Sequence, residues 1–176
     1  RGIRPITVYN TNSYDKAGIV RGLSDLIDVY LPDYKYISPE ISARLSDAPD
    51  YGEVALRAIK EMYYQKGSTL STDESGIAER GMLIRHLVLP GYVDESIKVL
   101  RSVAGELSPG VNLSLMSQYH PTPNVNDNSE LDRLLLRSEY ETVVKEMENL
   151  GFRNGWLQDM ESYKNYLPDF SSENPF

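Results

Sequence analysis

Two charged side chains, Asp33 and Lys35, follow directly on the apolar run that ends at Pro32 in "VYLPDYKY". Spaced i and i+2 on an extended chain, they project to the same side. A carboxylate and an ammonium so placed can hold the two ends of a zwitterion, or neutralise each other as an ion pair. Arg85 lies within "MLIRHLVL", among neighbours that should be buried. A guanidinium there needs an anionic partner: Asp33, a carboxylate on a helix, or a ligand. Asn10 closes the run "ITVY", and Gln118, Tyr119 and His120 follow "VNLSLM". His120 precedes Pro121, where a capping or packing role is also open, and His86 is assigned to the core or the outer face of a sheet. Together these groups suit a zwitterionic ligand, with cations for its carboxylate and acceptors for its amine or hydroxyls. A phosphate site would more often show a glycine-rich loop at a helix N-terminus, and the sequence has none.

The elements that must position these residues can be traced along the chain. "ITVY" precedes a helical pattern of Ile19, Val20, Leu23 and Leu26. "LIDVYL" precedes a helix from near Asp50, with Tyr51, Val54, Ala58, Ile59 and Met62 on one face and Gly67 as C-cap. "MLIRHLVLPG" leads to Asp94 as N-cap and a stripe of Ile97, Leu100, Ala104 and Leu107. "VNLSLM" leads, after a long loop, to a helix with a Ser138–Glu141 capping box and a face of Tyr140, Val144, Met147 and Leu150. Strand–helix alternation implies parallel strands with right-handed crossovers, so the fold class is α/β, either a small open sheet or the later part of a barrel. Residues 68–81 and 121–133 read as loops. The segment 152–176, with Trp156, Tyr163, Tyr166 and Phe170, is expected to pack on the domain as a C-terminal tail.

With 176 residues the chain is expected to form one domain, 1–176. Its net charge of −8 argues against nucleic acid and anionic membranes as partners. No apolar run is long enough to span a bilayer and no signal peptide is visible, so a cytoplasmic location is expected. There is no cysteine, hence no disulfide and no thiolate metal site within this chain. The first residue is Arg, and the first apolar run starts almost at once, as expected of a piece of a longer protein.

The motifs "DVYLPDYKY", "EMYYQKG", "LIRHLVLPGY" and "LMSQYHP", in this order, resemble the later half of a radical S-adenosylmethionine (radical SAM) enzyme. The likeness covers about residues 5–160 and is nearest to the activating enzymes of glycyl radical enzymes, such as pyruvate formate-lyase activating enzyme. It implies a partial (β/α)6 TIM-like barrel, of which this chain would hold strands three to six. It places Asp33 and Lys35 beside the methionine part of S-adenosylmethionine, and Arg85 and His120 near the ribose and adenine. Asn10-Thr11-Asn12-Ser13 stands where activating enzymes carry a D-T-x-G pattern, so Asn10 replaces an aspartate. The family's three clustered cysteines and Gly-Gly-Glu motif would lie before residue 1. The resemblance thus implies a parent oxidoreductase that cleaves S-adenosylmethionine with a [4Fe–4S] cluster and abstracts hydrogen, in activating enzymes from a partner protein's glycine. This chain would supply part of the cofactor site, be inactive alone, and self-associate through the barrel edge left open before "ITVY". Two alternatives remain: a Schiff-base aldolase using Lys35 with Asp33 as acid/base partner, and a non-enzymatic metabolite-binding module.

Overall fold

A computed structural model describes residues 5–121 and 130–160. The protein is an α/β fold built on five parallel strands: β1 (Val8–Thr11), β2 (Val29–Pro32), β4 (Ala78–Leu87), β5 (Asn112–Met116) and β6 (Gly155–Leu157). They lie side by side in chain order, with the short β3 (Ser71–Thr72) pairing antiparallel to β4. The crossovers are α1 (Ala17–Gly22), then α2 (Pro39–Ser46) with α3 (Tyr51–Lys66), then α4 (Val93–Glu106) and α5 (Arg137–Asn149). Parallel strands in sequential order with crossovers of one hand bring the helices to one face of the sheet. Ion pairs stitch the helices in the same order: Arg21–Glu61 at 2.9 Å, Lys60–Glu106, and Arg101–Glu146 at 2.8 Å.

Burial alternates along the strands. Met82, Ile84, His86 and Val88 are buried on the helix side, as are Leu113 and Leu115. Leu83, Arg85, Leu87, Asn112, Ser114 and Met116, one residue out of step, are half-buried on the opposite face. That face therefore carries the polar groups at the strand ends. At the β1 side of the sheet Ile6 and Val8 are exposed, apolar groups that water would leave if a further element covered them.

Several expectations need correction. Residues 68–81 are not a plain loop: Asp73 Oδ1 accepts the Ser75 and Ile77 amides at 2.9 Å, and the resulting turn joins β3 to the start of β4. The α4 N-cap is Tyr92, whose carbonyl accepts the Glu95 and Ser96 amides, while Asp94 stands inside the first turn. α5 is capped two residues earlier than its pattern suggested. Glu139 accepts the Leu136 amide at 2.9 Å and is fixed there by Arg133 at 2.8 Å and by the Gly91 amide at 2.7 Å. Those hydrogen bonds, the Arg133 guanidinium's foremost, hold the Glu139 carboxyl at about 2. α1 stops at Gly22, so Ile19 and Leu26 are exposed and only Val20 of its stripe is buried as a member of the helix. Within the segment 152–160, Phe152 is buried and β6 adds a strand beside β5. Trp156, however, is half exposed, and Tyr163, Tyr166 and Phe170 lie outside the described residues. No described helix is long and apolar enough to cross a membrane.

Candidate functional site

β2 leaves regular pairing at Pro32, and two backbone bonds carry it on as an extended chain. The Asp33 amide donates to Thr11 O and the Tyr34 amide to Arg85 O, both at 2.9 Å. Alternation then turns Tyr34 into the core and leaves Asp33 and Lys35 on the polar face. There they line a cleft of about 360 Å³ with Tyr36, Arg85, Leu87, Leu89, Met116 and Gln118. The strand ends of β2, β4 and β5 thus converge, as ligand sites in parallel α/β sheets do.

Arg85 finds two partners. Its Nε and Nη2 reach Asp33 Oδ1 at 2.8 and 2.7 Å, and Nη2 also donates to Asn10 Oδ1 at 2.6 Å. One edge of the guanidinium is therefore used to link β1, β2 and β4. Asp33 Oδ2 and Arg85 Nη1 carry no hydrogen bond among the described residues. The Lys35 ammonium has no ion-pair or hydrogen-bond partner among them either, although its side chain is half-buried. Asp33 and Arg85 cancel, so Lys35 leaves this mouth with one uncompensated positive charge. A carboxylate-bearing ligand with a further polar group fits that arrangement, and the apolar half of the cleft suits an uncharged stem.

His120 is not brought into this group. It is exposed, with Nδ1 2.9 Å from Pro121 O, and is absent from the cleft lining. His86 is buried as expected. Its Nδ1 is 2.7 Å from Tyr34 O, an obligate acceptor, so Nδ1 carries the proton and Nε2 accepts from Ser96 Oγ at 2.9 Å. Among the described residues no cluster of three or more histidine, cysteine or carboxylate side chains could hold a metal ion.

Local sequence pattern says little about the groups behind the cleft. Tyr51, on the apolar stripe of α3, is buried. Its hydroxyl shares one proton between Asn12 O at 2.9 Å and Asp33 O at 3.1 Å, and accepts the Lys35 amide at 3.1 Å. Burial pushes its phenol well up, so it remains a neutral donor. Glu95, also buried, accepts the Ile37 amide at 2.5 Å and the Ser38 amide and hydroxyl at 2.6 Å. Burial opposes its ionisation, but the donors of Ser38, Ile37 and Lys98 outweigh that and lower its pKa.

The turn after β1 carries a strained residue. Ser13 is fully buried at φ 66°, and its hydroxyl has no hydrogen-bond partner among the described residues. Left-handed backbone costs an L-residue about 1–2 kcal/mol, more than the 0.5–1 kcal/mol entropy penalty of glycine. Ser13→Gly is therefore expected to stabilise the protein by about 1 kcal/mol in urea unfolding. A loss of stability instead would mean that the hydroxyl is satisfied and the turn relaxed.

No protein-family model matches the chain. Among curated proteins it is similar to the uncharacterized protein MJ0674 of Methanocaldococcus jannaschii, with 28% identity over 142 residues. The alignment covers 80% of this chain and 36% of that protein, so the chain spans little more than a third of the relative it matches.

Proposed function

We propose that this chain is the later part of a radical S-adenosylmethionine enzyme, the strand-three-to-six portion of a partial (β/α)6 barrel, and that its cleft holds S-adenosylmethionine. The observation that carries the proposal is the Lys35 ammonium, without a partner among the described residues, beside the Asp33–Arg85 pair in one cleft at the ends of adjacent parallel strands. Ser13 adds support, since it adopts left-handed backbone at the place where the D-T-x-G pattern has glycine.

The donor set fits the methionine end of the cofactor. Lys35 Nζ and Arg85 Nη1 would take the carboxylate, Asp33 Oδ2 the ammonium, and Leu87, Leu89 and Met116 the apolar stem. Bound S-adenosylmethionine supplies a sulfonium with a cleavable carbon–sulfur bond. A [4Fe–4S] cluster does not fit this chain, which has no cysteine to ligate it, so the residues here bind and orient and carry no redox step. In the parent protein the hydrogen donor would be a glycine of a glycyl radical enzyme partner.

Calorimetric titration of the chain with S-adenosylmethionine and with adenosine tests the proposal. S-adenosylmethionine is expected to bind more tightly, and Lys35→Ala to weaken it about tenfold, worth about 1.4 kcal/mol. Adenosine binding should be unchanged by that substitution. Equal affinity for both compounds, or no binding of S-adenosylmethionine, would overturn the proposal. Borohydride trapping of Lys35 by a carbonyl compound would point instead to Schiff-base chemistry.

A further inference from the structure

The segment that presents Lys35 is clamped on both sides by one turn of α4. Before Lys35, Ser96 Oγ donates to His86, whose other nitrogen donates to Tyr34 O. After it, Glu95 receives the Ile37 and Ser38 amides and the Ser38 hydroxyl, and Lys98 Nζ bonds both Glu95 Oε2, at 3.2 Å, and Ser38 Oγ, at 2.8 Å. Glu95 and Ser96 are adjacent in the chain, 3% and 2% exposed, and neither lines the cleft. A buried carboxylate is costly unless its oxygens are filled, and here the donors come almost entirely from the segment carrying Lys35. Two main-chain amides in series point at one oxygen, which fixes the direction of the chain as it leaves Lys35. A carboxylate placed only to cap its own helix would have turned to amides of α4, and Glu95 does not.

Resting on the cofactor site proposed above, we infer that Glu95 is a positioning residue. It sets the place of the Lys35 ammonium through the backbone of residues 36–38, without touching the ligand. Glu95→Gln keeps the volume and one oxygen for the Ile37 and Ser38 amides, but puts an NH2 in place of the oxygen that takes the Ser38 hydroxyl and the Lys98 ammonium, so the turn loses that half of its anchor and the charge behind it.

The test is a double-mutant cycle on S-adenosylmethionine affinity, with Lys35→Ala, Glu95→Gln and the pair. Glu95→Gln alone is expected to weaken binding about tenfold, and to add little once Lys35 is already alanine. Additive losses would assign Glu95 a merely structural role and overturn the inference. A second readout does not need the ligand: reductive ¹³C-methylation gives Lys35 a dimethylamine resonance, assigned by its loss in Lys35→Arg. That resonance is expected to move in Glu95→Gln, and its failure to move would also overturn the inference. If Glu95→Gln does not fold, Ser38→Ala removes one donor and takes its place in both measurements. Should the unaltered chain bind no S-adenosylmethionine, the cofactor proposal falls, and the Lys35 resonance alone decides the positioning role.

Discussion

Gly52→Ala is expected to destabilise the protein by about 2 kcal/mol and to weaken binding in the cleft at the same time. A Cβ built on Gly52 would stand 2.6 Å from Ile37 O, 2.8 Å from Ile37 Cα and 3.0 Å from Ile37 C. All three are main-chain atoms, so no flexible side chain can swing away. Two effects oppose each other. Alanine is the better helix former by about 1 kcal/mol, and less than that in a first turn. Overpacking against fixed backbone costs about 1–3 kcal/mol, and more where neighbours cannot yield. Here they cannot yield easily, because Glu95 holds the Ile37 and Ser38 amides from the other side. If α3 retreats instead, Tyr51 retreats with it and loosens its hold on Asp33 O and the Lys35 amide. Either movement disturbs Lys35, so stability and affinity should fall together. Gly18→Ala in α1, where nothing lies within 4 Å of the added Cβ, is the control and should be neutral or stabilising. Urea unfolding of Gly52→Ala within about 0.5 kcal/mol of the parent chain, the range of an ordinary surface change, would show that the contact relaxes freely.

The cleft was largely legible in the sequence because its residues obey local rules. The i, i+2 spacing of Asp33 and Lys35 fixes their common side once the chain is extended, and a guanidinium amid apolar neighbours must find an anion. Asp33 was among the partners such reasoning allows for Arg85, and it is the one found. The groups that hold the site were not legible. Tyr51, Glu95 and Ser96 occupy α-helical positions whose local pattern announces only burial or a charged first turn. Their partners lie far along the chain, 57 and 58 residues from Glu95 and 10 from Ser96, and no periodicity encodes such a pairing. A faint signal did exist for Glu95: it shares a helix side with Val99 and Leu100, where an unpaired charge would be costly.

The missed elements have similar reasons. β3 and β6 are two and three residues long, too short to show alternation, and exist because β4 and β5 offer free edges. α2 could have been read from Pro39 at the first helical position after Ser38. The α5 cap went to Glu139 because Arg133 and the Gly91 amide converge on it, a tertiary preference that outweighs the Ser138–Glu141 spacing.

Stability is expected to fall by about 3 kcal/mol as pH drops from about 6.5 to 4, through His86 alone. Burial, partly offset by the bond to Tyr34 O and the nearby Glu95 carboxylate, brings its pKa down to about 4 in the folded protein. In the unfolded chain the imidazole titrates near the ordinary value of about 6.5. Between these values the unfolded state binds a proton that the folded state refuses, so stability rises with pH across the window and is complete above it. The lowered carboxylates Glu61, Glu95 and Glu139 act in the same direction but only below about 4.5, where the unfolded carboxyls begin to protonate. The two contributions therefore separate between pH 5 and 6.5. His86→Gln supplies a donor for Tyr34 O and an acceptor for the Ser96 hydroxyl without a titrating proton. Its unfolding free energy, from urea curves at several pH values, should be nearly flat between pH 5 and 6.5 while the parent chain's rises. The same slope in both proteins would mean that His86 is protonated in the folded state. Nε2 would then carry a proton and could no longer accept from the Ser96 hydroxyl, which would cut the link between α4 and the backbone just before Lys35.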